Sequence, residues 1–367
     1  MGLNEILLVV AALIPAIVLC VYVYKKDKVE KEPLGILLLL LFLGVMICFP
    51  AIYLELILKA VIDGVFGISA LGGSLNYITY TIYQFISCTV GVALVEEGLK
   101  WLVLFLVSRK TKHFNSLFDG LIYAIFVSLG FAAYENVLYV LQNGWMNAVM
   151  RAVLSVPGHM FFAVIMGCYF TRYYTTKLAR ETEFGYRRKG MLPANRPPFS
   201  ETRDLVLSIL MPTLCHGFYN FCLNMGSPMY LLAVLALVVC LYIFCFRHIK
   251  STSNQDTHIL LCVLKLMESK YPGFSNMVTQ EMHQTTPVPT TNIRFAGIYA
   301  KTPGIVRLVA PVKQPLNPGA TIATIRTALG QELPIVTNIA CQIEKYDILD
   351  GSFVGENKLL GVMKYTI

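Results

Sequence analysis

Seven apolar runs, most of them close to the roughly 20 residues that a helix needs to cross a bilayer, dominate the sequence. Hydrophobic residues make up 56% of the 367 residues. Charged residues make up 14%, well below the about 25% typical of soluble domains. We therefore predict an α-helical polytopic membrane protein with about seven transmembrane helices. The runs are Ile6–Tyr24, Leu34–Leu58, Ile78–Val107, Leu117–Leu141, Ala152–Phe170, Leu205–Leu223 and Met229–Phe246.

Basic residues concentrate in alternate connections, those after the first, third, fifth and seventh runs. Because cytoplasmic loops carry the excess of positive charge, we expect a multi-pass protein of the cell membrane with an extracytoplasmic N-terminus and a cytoplasmic C-terminal region. The formal net charge of +8 is then explained by the basic residues of the cytoplasmic connections, and no nucleic-acid partner is expected. The basic residues of these connections are Lys25, Lys26, Lys28, Lys31, Arg109, Lys110, Lys112, Lys177, Arg180, Arg187, Arg188, Lys189, Arg196, Arg247 and Lys250.

The composition changes after residue 250. His258–Ser269 has the apolar spacing of a short amphipathic helix, and a Thr/Pro-rich linker covers Met282–Asn292. From Ile293 onward, short Val, Ile and Thr runs alternate with Pro-Gly, Asn-Pro-Gly and Asp-Gly turns, which predicts β structure. We therefore expect a membrane domain, a helix with a linker, and a small all-β cytoplasmic domain at residues 1–250, 251–290 and 291–367.

Three charged residues, Glu96, Glu97 and Lys100, interrupt the third apolar run. Each costs roughly 2.5–3.5 kcal/mol at the centre of a bilayer, so such residues usually serve a function. Glu96 and Lys100 are four residues apart and share one helix face, where they can pair. A buried ion pair that only fixes helix packing explains these two residues, but it leaves Glu97 without a partner.

The next three runs also carry polar groups: Glu135 in the fourth, His159 in the fifth, and His216 with Asn220 in the sixth. At about 1.5 Å per helical residue, all of them lie at compatible depths and can meet within one bundle. Each one alone is explained as a hydrogen-bonded packing residue. Ionisable or amide groups from four helices at one depth instead indicate a site.

Two chemistries suit this set of side chains. In the first, a carboxylate takes a proton from water, one imidazole orients that water, and a second imidazole with an amide stabilises the oxyanion. In the second, imidazoles and carboxylates hold Zn²⁺, although the sequence has no HExxH motif; the candidate ligands are Glu97, Glu135, His159 and His216. A sensor or transporter that binds protons or an ion through buried Glu and His is the alternative class.

The motifs resemble those of the PrsW family of intramembrane proteases, which is distantly related to the type II CAAX prenyl endopeptidases. The prenyl endopeptidases have an Arg and a His where this chain has Lys100 and Glu135, which favours the PrsW branch over a CAAX-type prenyl protease. The matching segments are Glu96-Glu97-x-x-Lys100, Phe131-x-x-x-Glu135, Pro157-Gly158-His159 with Phe162, and His216-Gly217-x-x-Asn220.

The resemblance implies an intramembrane endopeptidase that cuts a single-span, membrane-anchored protein, such as an anti-sigma factor, in a signalling cascade. It implies that Glu96, Glu97, Glu135 and His159 are catalytic or metal-binding. It also implies that His216 and Asn220 form a polarising pair. The resemblance leaves open whether the reaction uses Zn²⁺ or a glutamate-activated water.

The C-terminal segment resembles a biotinyl/lipoyl domain of the barrel-sandwich type, through Ala300–Arg307, Asn317–Ile322 and Asp350–Val354. The place of the carrier lysine, between Leu329 and Gln331, is taken by Gly330, so no cofactor can be attached there. We therefore expect a docking or binding module for a cytoplasmic partner. An unrelated small β-barrel is the alternative.

Overall fold

The computed structural model describes residues 2–28, 30–68, 75–285 and 293–366. The chain divides into two compact units, Met1–Ser275 and Asn276–Ile367. A π-helical segment, Ser87–Ala93, joins the fourth helix to the fifth. The α-helices are α1 (Leu3–Lys26), α2 (Leu34–Met46), α3 (Cys48–Val65), α4 (Tyr77–Ile86), α5 (Leu94–Lys110), α6 (Asp119–Val153), α7 (Ser155–Arg188), α8 (Thr202–Met225), α9 (Pro228–Asn254), α10 (Ile259–Lys270) and α11 (Phe274–Thr285).

Five helical segments of the described chain are long and apolar enough to cross a membrane, which confirms a multi-pass helical protein. One of them, Asp119–Arg188, contains both α6 and α7. The predicted third span, Ile78–Val107, is not among the five, because it is divided into α4, the π-helical segment and α5 and contains the charged cluster. The number of seven spans stays a prediction.

Helices α6 and α7 form the core of the first unit. Every residue from Phe118 to Ala132 and from Val156 to Gly167 is buried. Outward-facing apolar residues surround this core; Leu38, Met229 and Leu232 are each more than 60% exposed. Apolar side chains on the outside and charged groups on the inside are the arrangement that a bilayer requires.

Two predicted loops are helical. The connection expected at Gln142–Asn147 lies within α6, which contains a break at Gly144, where φ is 74°. The basic connection after the fifth run begins within α7, which continues to Arg188, well beyond the predicted end of the span at Phe170. Hydropathy marks where a helix leaves the apolar region, but it does not mark where the helix itself ends.

Helices α2 and α6 cross at two glycines. A Cβ atom on Gly44 would lie 2.1 Å from the Val127 carbonyl oxygen, and one on Gly130 would lie 2.2 Å from that of Leu41. Small residues at helix crossings let backbones approach closely inside a membrane. The crossing fixes α2 against the part of α6 that carries Glu135.

The second unit contains two four-stranded antiparallel sheets, with strand orders β1-β8-β6-β3 and β5-β4-β2-β7. This confirms an all-β region, whereas the biotinyl/lipoyl resemblance stays a prediction. Gly330 lies in the β4–β5 hairpin with a φ of 76°. Residues 286–292 of the predicted linker lie outside the described residues. The strands are β1 (Ile293–Tyr299), β2 (Gly304–Leu308), β3 (Pro315–Leu316), β4 (Thr321–Arg326), β5 (Glu332–Val336), β6 (Cys341–Tyr346), β7 (Phe353–Val354) and β8 (Leu359–Thr366).

We predict that Gly130→Ala lowers the unfolding temperature of the detergent-solubilised protein. The added methyl group meets the backbone of α2, and overpacking of this kind costs about 1–3 kcal/mol. The matched control is Gly64→Ala in α3, where a Cβ has no neighbour within 4 Å. Equal unfolding temperatures for the two variants would show that the crossing tolerates a side chain.

Candidate active site

The π-helical segment places the charged cluster against α8. A Cβ atom on Gly217 would lie 2.5 Å from Thr89 Oγ1 and 2.7 Å from Thr89 Cα, so α8 packs directly on the π-helical backbone at this residue. His216 precedes Gly217, and α5 begins immediately after the segment. The extra residue of a π turn changes which side chains face a neighbouring helix, and such turns are frequent at functional sites. Here it positions α5 so that Glu97 reaches His216.

Lys100 binds both carboxylates of its helix. Its Nζ lies 3.1 Å from Glu96 Oε2 and 2.8 Å from Glu97 Oε1. The three side chains are nearly inaccessible, with exposures of 5%, 0% and 1% for Glu96, Glu97 and Lys100. The inference that Glu97 lacks a partner in its own run is therefore wrong. Both the i,i+3 and the i,i+4 neighbours of a lysine lie within its reach on a helix.

Two imidazoles from other helices complete the cluster. His159 Nδ1 on α7 lies 3.2 Å from Lys100 Nζ, and His216 Nδ1 on α8 lies 3.0 Å from Glu97 Oε1. The two imidazole centroids are 5.3 Å apart. The ring of Phe162 stacks on His216 at 4.8 Å and holds its plane.

Glu135 joins the cluster through His159. Its Oε2 lies 2.9 Å from His159 Nε2 and 3.0 Å from Arg151 Nη2. Glu96, Glu97, His159 and His216 each offer a ligand atom within 4.8 Å of the others, and Glu135 is not part of this group. The compact group thus differs in one member from the predicted ligand set, with Glu96 in the place of Glu135.

The hydrogen-bond partners indicate how the two imidazoles are oriented. The Glu135 carboxylate accepts from His159 Nε2–H, and the Lys100 ammonium donates to His159 Nδ1. The Glu97 carboxylate accepts from His216 Nδ1–H, and His216 Nε2 has no hydrogen-bond partner among the described residues. A ring nitrogen bound to a carboxylate, with the other nitrogen unprotonated, is the arrangement of metal-ligating histidines.

A cavity of about 590 Å³ opens beside the cluster. Five of the six predicted site residues line it, namely Glu96, Glu135, His159, His216 and Asn220. The sixth, Glu97, lies behind the wall, and its Oε2 has no hydrogen-bond partner among the described residues. The structure therefore brings all six predicted site residues together. The volume of the cavity falls within the about 300–1,000 Å³ typical of ligand pockets.

Two charged residues of this cavity were missed in the sequence. Glu55 lies within the predicted run Leu34–Leu58, where a single carboxylate hardly changes the mean hydropathy. Arg151 immediately precedes the predicted run that begins at Ala152, so it was left outside the membrane. An intramembrane carboxylate is itself a signal of function, and that signal identifies Glu55.

The donor set fits a divalent metal ion. Two imidazoles and two carboxylates, all buried and convergent, are ligands that Zn²⁺ accepts. Glu97 Oε2 is a buried oxygen without a partner, which a cation would satisfy. The Lys100 ammonium touches three of the four residues and is the cation that a metal ion would displace from them.

Comparisons with known proteins agree with this site. Residues 32–246 match the family described as PrsW family intramembrane metalloprotease. Protease PrsW of Oceanobacillus iheyensis is 32% identical over 68% of this chain and 97% of its own length. Protease PrsW of Bacillus subtilis is 30% identical over 66% of this chain and 94% of its own length. No solved structure matches.

The matched residues contain the whole candidate site and end before the β unit, which lies outside them. The buried Glu and His cluster, which is formed by α5, α7 and α8, agrees with a hydrolase that works within the membrane. The chain therefore belongs to the PrsW family of intramembrane metalloproteases.

Proposed function

We propose that the protein hydrolyses a peptide bond of a single-span membrane protein, such as an anti-sigma factor, in the cavity beside Lys100. The observation that carries this proposal is the convergence of four buried proton-accepting side chains at a cavity large enough for a short extended peptide. The polar wall supplies the hydrogen-bond partners that a peptide backbone needs once it leaves water.

Each side chain has a role that follows from its contacts. Glu96 faces the cavity and takes the proton of the attacking water, and Glu97 holds His216 through its Nδ1–H. That contact fixes the ring of His216 but not the protonation of Nε2, which can donate to an oxyanion when it carries a proton and can bind a metal ion when it does not. The Asn220 amide, one helical turn further along the cavity wall, is a polarising donor in both cases.

Glu135 and Arg151 position His159. The carboxylate accepts from its Nε2–H and the guanidinium neutralises that carboxylate, so the ring is held with Nδ1 toward Lys100. We propose Zn²⁺ as the metal, which would be held by Glu97, His159 and His216 and would leave one position for water and Glu96 free to act as the base. When bound, Zn²⁺ lowers the pKa of water and polarises a carbonyl group.

The topology is proposed from the basic connections, with the N-terminus outside the cell and the β unit in the cytoplasm. Residues 1–250 then form the protease domain, residues 251–290 a helix and linker, and residues 291–367 a docking module without a carrier lysine. Its ligand is proposed to be a cytoplasmic partner protein.

We predict that Glu97→Gln and His159→Ala each reduce cleavage at least about 10-fold, because both residues are proposed metal ligands and the loss of a group that orients a ligand already costs about 10–100-fold. A membrane proteome comparison between cells with the wild type and with Glu97→Gln identifies the single-span protein that is no longer trimmed. The matched control is Glu181→Gln, a half-exposed carboxylate further along α7. Undiminished trimming by well-inserted Glu97→Gln would refute the protease assignment.

We predict that Zn²⁺ raises the unfolding temperature of the purified wild type and, by a larger amount, that of Lys100→Met. Without metal, Lys100→Met should be less stable by about 3–5 kcal/mol, the cost of leaving buried charges unpaired. Lys59→Met removes an exposed ion pair with Asp63 and serves as control. If Zn²⁺ shifts the unfolding of His159→Ala and His216→Ala as much as that of the wild type, the ligand set is wrong.

We predict that a protein ending at Thr285 keeps its cleavage activity. The cavity is built from residues between Cys48 and Asn224, all within the first unit. Release of an epitope-tagged fragment from the identified substrate measures this, with the full chain as reference. A correctly inserted but inactive truncation would mean that the β unit takes part in catalysis, whereas changed stimulus dependence alone agrees with a docking role.

A further inference from the structure

A second cavity of about 380 Å³ adjoins the first one, and we call it the side chamber. The two cavities share five lining residues and therefore lie next to each other. The side chamber is lined by Ile52, Glu55, Leu56, Lys59, Ile62, Tyr83, Gln84, Ser87, Cys88, Gly91, Val92 and Asn224. The shared residues are Ile52, Glu55, Cys88, Val92 and Asn224.

Glu55 is the charged residue of this shared wall. It lies on α3, is half-buried, and forms no hydrogen bond or ion pair with any residue that the structure describes. The other three carboxylates of the site differ from it, because each contacts Lys100, Arg151 or an imidazole. The nearest lysine along α3, Lys59, is paired with Asp63 instead. A carboxylate between two cavities without an ion-pair partner is stabilised when a ligand brings a positive charge.

The side chamber also offers uncharged polar groups. The Ser87 hydroxyl is buried without a partner among the described residues. Among the described residues, the Asn224 amide donates a hydrogen bond only to the weak acceptor Cys88 Sγ, at 3.3 Å. Lys59 and Tyr83 line the chamber too, but both bind Asp63, at 3.1 Å and 2.7 Å. Hydroxyl and amide groups of this kind can bind the carbonyl and N–H groups of an extended peptide.

We propose that the side chamber is a substrate subsite, in which Glu55 selects a Lys or Arg residue near the scissile bond. This inference rests on the proposed protease function and adds a specificity to it. The ammonium or guanidinium of the substrate lies at the shared wall, against Glu55. The neighbouring peptide groups bind Ser87 and Asn224.

The experiment uses a library of single-span reporter proteins, co-expressed with the full chain, in which eight residues beside the span are randomised. Released fragments are sequenced for the wild type, Glu55→Gln and Glu55→Lys. We expect the wild type to favour Lys or Arg over Asp or Glu at one position by at least about 30-fold, the effect of pairing one desolvated charge. Glu55→Gln should lose this preference, and Glu55→Lys should favour Asp or Glu at the same position.

The matched control is Glu181→Gln on α7, whose carboxylate pairs with Lys177 and lies outside both cavity walls. It should keep the preference of the wild type.

A uniform loss of cleavage in Glu55→Gln, with the basic preference intact, would overturn the inference and indicate a path for water instead. If the wild type releases reporter fragments without favouring Lys or Arg at any position, the inference is wrong but the protease function still holds. A wild type that releases no reporter, like Glu97→Gln, would refute the protease function and the inference together.

Discussion

The ammonium of Lys100 makes this arrangement of helices possible. Two adjacent carboxylates in an apolar interior repel each other and lose their hydration, and both effects destabilise the folded helix unless a cation lies nearby. Lys100 contacts both of them and also touches His159 on α7, while its charge lies 4.3 Å from the centre of the Phe131 ring on α6. One side chain thereby balances the negative charge of α5 and contacts residues on both α6 and α7. The packing of the bundle and the chemistry of the site depend on the same contacts.

Two irregular helix segments border the cavity and help to shape it. The π-helical segment before α5 and the break at Gly144 in α6 both lie next to cavity residues. Beyond that break, α6 carries Asn147 and Arg151 to the cavity wall. A regular helix through residue 144 would continue along its axis, so Arg151 would not reach Glu135 at 3.0 Å. Irregular backbone at membrane depth is tolerated where it lines a cavity, as it does here.

The sequence predicted that the ionisable residues of four helices meet, because a charge inside a membrane requires a partner. The sequence did not predict which ion pairs these residues form. Spacing alone favoured Glu96 for Lys100, whereas the i,i+3 contact to Glu97 is the shorter one. Arg151 was missed because hydropathy places span ends by composition, while the helix continued through that point. The apolar run gave no sign of the π-helical segment, whose backbone packs closely against Gly217.

The balance of charge around the cavity explains what it can bind. Four carboxylates, from Glu55, Glu96, Glu97 and Glu135, face two permanent cations, Lys100 and Arg151. A cavity of low dielectric constant with such an excess attracts cations strongly. The proposed divalent ion at the histidines and the proposed basic substrate residue at Glu55 would each reduce the same excess of negative charge, so metal binding and substrate selection would depend on one electrostatic field.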